Sequence, residues 1–147
     1  MGETDGSTRL FTVEEANALL PVIKPAMEEL LQTFRDIRAE IQEAAAKAGL
    51  AVDSADLPKR IEERGITRDL FERVRTIVER IHARGCLVNG PEAGLVDFPC
   101  LYGNEIVFLC WKYGEPRVAH WHRIPDGFAG RRPLLDTSEG EGLEQVH

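Results

Sequence analysis

At Gly85-Cys86 the apolar residues of this chain change period, and that change divides the molecule. Upstream, Ile23, Met27, Leu30, Phe34, Ile37, Ile41, Ala44 and Ala48 alternate in steps of four and three. This is the seam of a helix packed lengthwise on another helix. A second seam runs through Ile66, Leu70, Val74, Ile77 and Ile81, widened by Phe71 and Val78. Between them, Gly49 is a natural stop, Asp53-Ser54-Ala55-Asp56 a turn and Pro58 a helix start. Two such helices joined by a short loop form an antiparallel hairpin, with a break expected at Gly65. Alone, the hairpin leaves too much apolar surface exposed, so it needs the C-terminal region, a second protomer, or both.

Downstream of Gly85 the runs are short and strand-like. Cys86-Leu87-Val88 ends at Asn89-Gly90-Pro91, Gly94–Cys100 and Glu105–Trp111 flank Gly103-Asn104, and Arg117–His122 follows Gly114-Glu115 and Pro116. Tight connections of this kind predict an antiparallel meander, and apolar residues on both strand faces predict cover on both. The expected fold is α+β: a long antiparallel helical hairpin packed on a small antiparallel sheet. One domain is divided into a disordered start (1–9), a hairpin (10–85), a sheet with the Gly127–Arg132 loop (86–135) and a flexible acidic tail (136–147).

The N-terminal helix opens on Thr12-Val13-Glu14-Glu15, a capping box in which the Thr12 hydroxyl and the Glu15 carboxylate each accept from a free N–H. Phe11 stands where a hydrophobic staple would. Pro21 and Pro25 each lack an N–H and crowd the carbonyl four residues back, so Val13–Leu20 reads as a short separate helix or as one arm of a kink.

Charge narrows the partners. The chain of 147 residues carries a net −7. Residues 1–52 hold −4, 53–84 hold +1, 85–133 are neutral and 134–147 hold −4. An acidic surface repels phosphate backbones, which argues against nucleic acid. No apolar run is long enough to span a bilayer, and no cationic, apolar leader opens the chain. Cys86, Cys100 and Cys110 are odd in number and lack Cys-x-x-Cys spacing. They read as buried apolar residues of a reducing, cytoplasmic compartment. The long seams predict a homodimer, in a four-helix arrangement. A protein partner or a small anionic ligand is the remaining expectation.

The chemistry-bearing residues gather in the C-terminal third. His120 and His122, two apart on a strand, share one face. Such a pair can bind a divalent metal with Glu115, Asp126 or Asp97 completing the set, or can be structural and bond to backbone. Register bears on Asp97. With two-residue turns at Gly103-Asn104 and Gly114-Glu115, Asp97 opposes Cys110 and Cys110 opposes Ala119, which turns Asp97 away from both histidines; a three-residue loop or a bulge reverses this. Asp97, flanked by Val96 and Phe98, is either an anchor or base for a ligand, or a structural carboxylate paired with Arg131 or a turn. Gly127-Phe128-Ala129-Gly130-Arg131-Arg132 either cradles an anion with N–H groups, Arg131 and Arg132, or is a turn with Phe128 plugging the core. Trp111 and Trp121 read as core.

Several of these segments occur together in one known family: Phe11 through Pro21, Gly94-Leu95-Val96-Asp97-Phe98-Pro99, Leu109-Cys110-Trp111, Gly114-Glu115-Pro116, and Trp121-His122 leading to Gly127-Phe128-Ala129-Gly130-Arg131. From Phe11 to about Leu134 the chain resembles a bacterial family catalogued only as a domain of unknown function. The resemblance implies a soluble bacterial protein and transfers no catalytic residue. In that family's pattern position 122 is histidine and position 120 is often aromatic. Two functions stand open. One is a structural or interaction protein that self-associates through the hairpin. The other is a small metal- or anion-binding protein, or a hydrolase-like enzyme, with its site in the sheet.

Overall fold

The computed structural model describes residues 9–134, and of residues 66 and 67 the backbone alone. The expected disordered start (but for Arg9) and acidic tail lie outside the described residues, as does the Ile66 side chain. Helix α1 spans Val13–Ala48 without interruption. The capping box at its start is complete: Thr12 Oγ1 accepts from Glu15 N–H at 3.0 Å and Glu15 Oε1 from Thr12 N–H at 2.9 Å. Pro21 and Pro25 neither separate a first helix nor end one. Both lie on the exposed side of α1, while Leu20, Ile23 and Met27 are buried. Packing of the apolar face therefore holds the helix through two missing hydrogen bonds. Gly49, at φ +68°, closes it.

The return half is two helices, α2 (Leu57–Arg64) and α3 (Ile66–His82), separated at Gly65 as expected. Gly65 adopts φ +80°, a conformation costly for a residue with a Cβ. Arg64–Glu40 at 3.1 Å and Arg80–Glu29 at 3.0 Å tie the return helices antiparallel to α1. Leu70, Ile77 and Ile81 are buried along the seam, with Val74 and Val78 partly so. Phe71 does not widen that stripe: it is 54% exposed near the Gly65 end of α3, whereas Val78, two turns on along the same face, reaches the main core.

The sheet is a five-stranded antiparallel meander in sequence order: β1 (Leu87–Val88), β2 (Leu95–Tyr102), β3 (Glu105–Lys112), β4 (His120–Arg123) and β5 (Arg132–Pro133). The fifth strand, two residues long and containing Pro133, carries no alternation by which sequence could reveal it. One sheet face packs on the hairpin. Val96, Phe98, Cys100, Val107, Leu109, Trp111 and Trp121 join Leu20, Ile23, Met27 and Leu30 of α1 and Ile77 and Ile81 of α3 in one core. Both tryptophans are fully buried there. Phe11 meets Phe98 edge-on at 5.2 Å. The other face carries Asp97, Cys110, His120 and His122.

The register overturns one expectation. Asp97 opposes Cys110 as the two-residue turn requires, but Cys110 opposes His120, not Ala119. Residues 113–119, an odd number, connect β3 to β4, so β4 starts at His120 instead of Arg117. Shifting the pairing by one residue turns every side chain to the other face. Asp97 therefore shares its face with both histidines. The long connection is held from elsewhere: Asn17 of α1 binds Val118, and Trp111 Nε1–H donates to Glu115 O at 2.9 Å.

Candidate metal centre

Three strands place three donors on the sheet face away from the helices. β2 contributes Asp97, β3 Cys110 directly opposite, and β4 His122, one pleat along from the residue opposite Cys110. One Asp97 carboxylate oxygen, Cys110 Sγ and one His122 ring nitrogen lie within 4.8 Å of one another. All three residues are 1% exposed.

Both ring nitrogens of His122 face oxygen. Nδ1 lies 2.8 Å from Arg123 O, and Nε2 lies 3.2 Å from Asp97 Oδ1. A carbonyl only accepts, so Nδ1 carries a proton. The contact between Nε2 and Oδ1 then calls for a shared proton or a metal ion. The other Asp97 oxygen accepts from Asn89 Nδ2–H at 2.7 Å. Phe108 closes one side of the imidazole, edge-on at 5.6 Å. The Cys110 thiol is pushed up to about 12, first by burial and then by the Asp97 charge. It is no nucleophile at neutral pH, although a metal ion can take its proton.

Beside this group, and more exposed, is a second one. Arg131 reaches Glu115 with two hydrogen bonds, Nη1 to Oε1 at 3.2 Å and Nη2 to Oε2, and its Nη1 approaches Cys110 Sγ at 4.0 Å. Glu115 Oε1 also accepts from Lys112 N–H at 2.8 Å. Burial pushes the Glu115 carboxyl up, but the Arg131 and Lys112 hydrogen bonds and the Arg131 and His120 charges outweigh it, leaving it below the usual range. The His120 imidazole is held low, by burial first and the Arg131 charge second, against the pull of Glu115. Its Nδ1 is buried without a hydrogen-bond partner, 3.9 Å from Glu115 Oε2.

The candidates named from sequence therefore separate. Asp97 and His122 come together, with His120, Glu115 and Arg131 adjoining. Asp97 is not paired with Arg131; its partners are His122 and Asn89, and Arg131 is spent on Glu115. Arg132 opposes Trp121, so it lies on the opposite sheet face, over the indole at 5.5 Å. Asp126 sits exposed in the 3-10 turn Ile124–Asp126 and is outside the three-donor group. The glycine loop is a second such turn, Phe128–Gly130, with Gly127 at φ +63°. Phe128 does not plug the core: it is 37% exposed, covered by the Arg131 guanidinium at 4.4 Å. Gly130 is required on another ground, since a Cβ there would lie 2.7 Å from Asp126 Cβ.

Cys110 as a donor and Asn89 as the support of Asp97 escape a motif search. The signal for Cys110 is the Gly103-Asn104 turn, which sets it opposite Asp97; no Cys-x-x-Cys spacing accompanies it because the donors come from three strands.

Comparison with known proteins finds one family. The family described as Uncharacterized conserved protein (DUF2203) matches residues 9–134. No curated protein and no solved structure matches the chain.

Proposed function

Because the chain belongs to that uncharacterized conserved family, which carries no activity to transfer, we propose from the geometry that it is a small metal-binding protein. Asp97, Cys110 and His122 hold one divalent transition-metal ion, zinc by preference. The observation that carries this reading is the His122 contact set: one ring nitrogen is committed to a backbone carbonyl, and the other faces Asp97 beside Cys110. Ligating imidazoles are oriented in this manner, through the nitrogen that does not bind metal. Asn89 fixes the carboxylate likewise. A mixed sulfur, nitrogen and oxygen set suits zinc, which takes all three. The charges also balance. A dication with a thiolate, a carboxylate and a neutral imidazole is neutral, as are the thiol and the proton-sharing Asp97–His122 pair it would replace. Neither form leaves net charge in the interior.

Burial of all three donors favours an ion that stitches β2, β3 and β4 together over one open to substrate. The hydrolase-like alternative requires water at a fourth position, and the Arg131 guanidinium beside Cys110 would then meet developing negative charge.

Elemental analysis with native mass spectrometry of untagged protein tests the proposal. One equivalent of zinc is expected in the wild type and its loss in Cys110→Ser and His122→Gln, with folding followed by circular dichroism. Wild-type protein that stays metal-free after incubation with zinc would sink it.

A further inference from the structure

Beyond the sheet, the hairpin continues as an arm of helices alone. Ala44, Ala45 and Leu57 form a small cluster of their own there, separate from the main core. Beside it, a groove of about 840 Å³ opens between α1 and the bend at Gly65, lined by Ile41, Pro58, Ile61 and Phe71 and edged by Glu62, Arg68 and Asp69. Phe71, 54% exposed, stands on its rim.

We infer that this groove is the contact between two copies of the chain, in which Phe71 of each enters the groove of the other. Three observations choose a second copy over a foreign partner. The knob and the hole lie on the same patch, which is the requirement of a two-fold interface, where one surface must complement itself. Adjacent Arg68 and Asp69 have opposite charge, so a two-fold axis between them sets each against its complement. The hairpin as a whole is polarised in the same sense. α1 carries seven acids and four bases, whereas α2 and α3 together carry five acids and seven bases. Laying α2 and α3 of one copy along α1 of the other brings net +2 against net −3, and makes a four-helix arrangement. A fully buried aromatic at the centre of such a patch is the usual energetic anchor.

Light scattering and analytical ultracentrifugation over a range of protein concentrations test this. The wild type is expected at twice the 16.5 kDa chain mass. Phe71→Glu is expected to weaken association by roughly tenfold or more, with an unchanged circular dichroism spectrum, since the side chain is exposed. Arg68→Asp should weaken it, and adding Asp69→Arg in the same chain should restore it. A wild type that stays monomeric at the highest concentration overturns the inference and leaves the groove to another occupant. A dimer equally stable in Phe71→Glu overturns the assignment of this face.

Discussion

The Asn17 side chain pairs with the Val118 backbone as a neighbouring strand would: its Oδ1 accepts from Val118 N–H at 2.7 Å, and its Nδ2 lies 3.4 Å from Val118 O. The same Nδ2 donates to Val13 O at 3.1 Å, so one amide joins the start of α1 to the connection before β4. That connection sets which residue of β4 faces Cys110, and Asn17 is thus a positioning residue for the candidate centre.

Asn17→Leu should therefore cost more than a surface change. It leaves the N–H of buried Val118 without an acceptor, worth about 1–3 kcal/mol. Urea unfolding measures the loss. Zinc occupancy should fall in the same variant at temperatures where it remains folded. A midpoint equal to wild type would remove Asn17 from this role.

The two histidines should behave differently. His122 is one of the three converging donors; His120 is outside that group and 3.9 Å from Glu115. His120→Phe is expected to keep one equivalent of metal, with affinity reduced several-fold at most, while His122→Phe loses it. Competition with a chromogenic chelator reads both. Equal losses would move the centre toward a two-histidine site.

Acid stability should report the Glu115–Arg131 pair. Glu115 is depressed in the folded protein, so its contribution is complete above the unfolded carboxyl value of about 4.3. It is lost as pH falls through the lower folded value. Wild type should exceed Glu115→Gln by about 1 kcal/mol at pH 6, given that both side chains are partly solvent-exposed. The difference should close below the folded value. A constant gap at every pH would assign the effect to packing.

The thiols should be silent in the native state. Burial pushes Cys86 and Cys100 up to about 11 and Cys110 up to about 12. Thiolate at neutral pH in the metal-free protein is then on the order of one part in ten thousand or less, and a Cys110 thiolate held by a metal ion would be equally shielded by its burial. A thiol reagent should find no reactive cysteine in the folded protein and three after denaturation; fast reaction of one native thiol would contradict the burial described.

Much of this architecture is local, and local chemistry is legible in a chain. The capping box at Thr12, the stops at Gly49 and Gly65, the seam through Ile23, Met27 and Leu30, and the opposition of Asp97 to Cys110 across a two-residue turn each follow from a few neighbouring residues. Unbroken continuation through Pro21 and Pro25 was decided by tertiary packing, because burial of one helix face outweighs two absent hydrogen bonds. So was the face of β4. A two-residue turn at Gly114-Glu115 and a seven-residue connection through it differ by one step of register, and the longer connection is held by contacts that include Asn17, 101 residues from Val118. The candidate centre depends on that step. Asp97, Cys110 and His122 are visible as residues anywhere in the chain, but strand pairing alone determines that their side chains meet, since a pleated strand shows each side chain to one face or the other according to the parity of the connection before it.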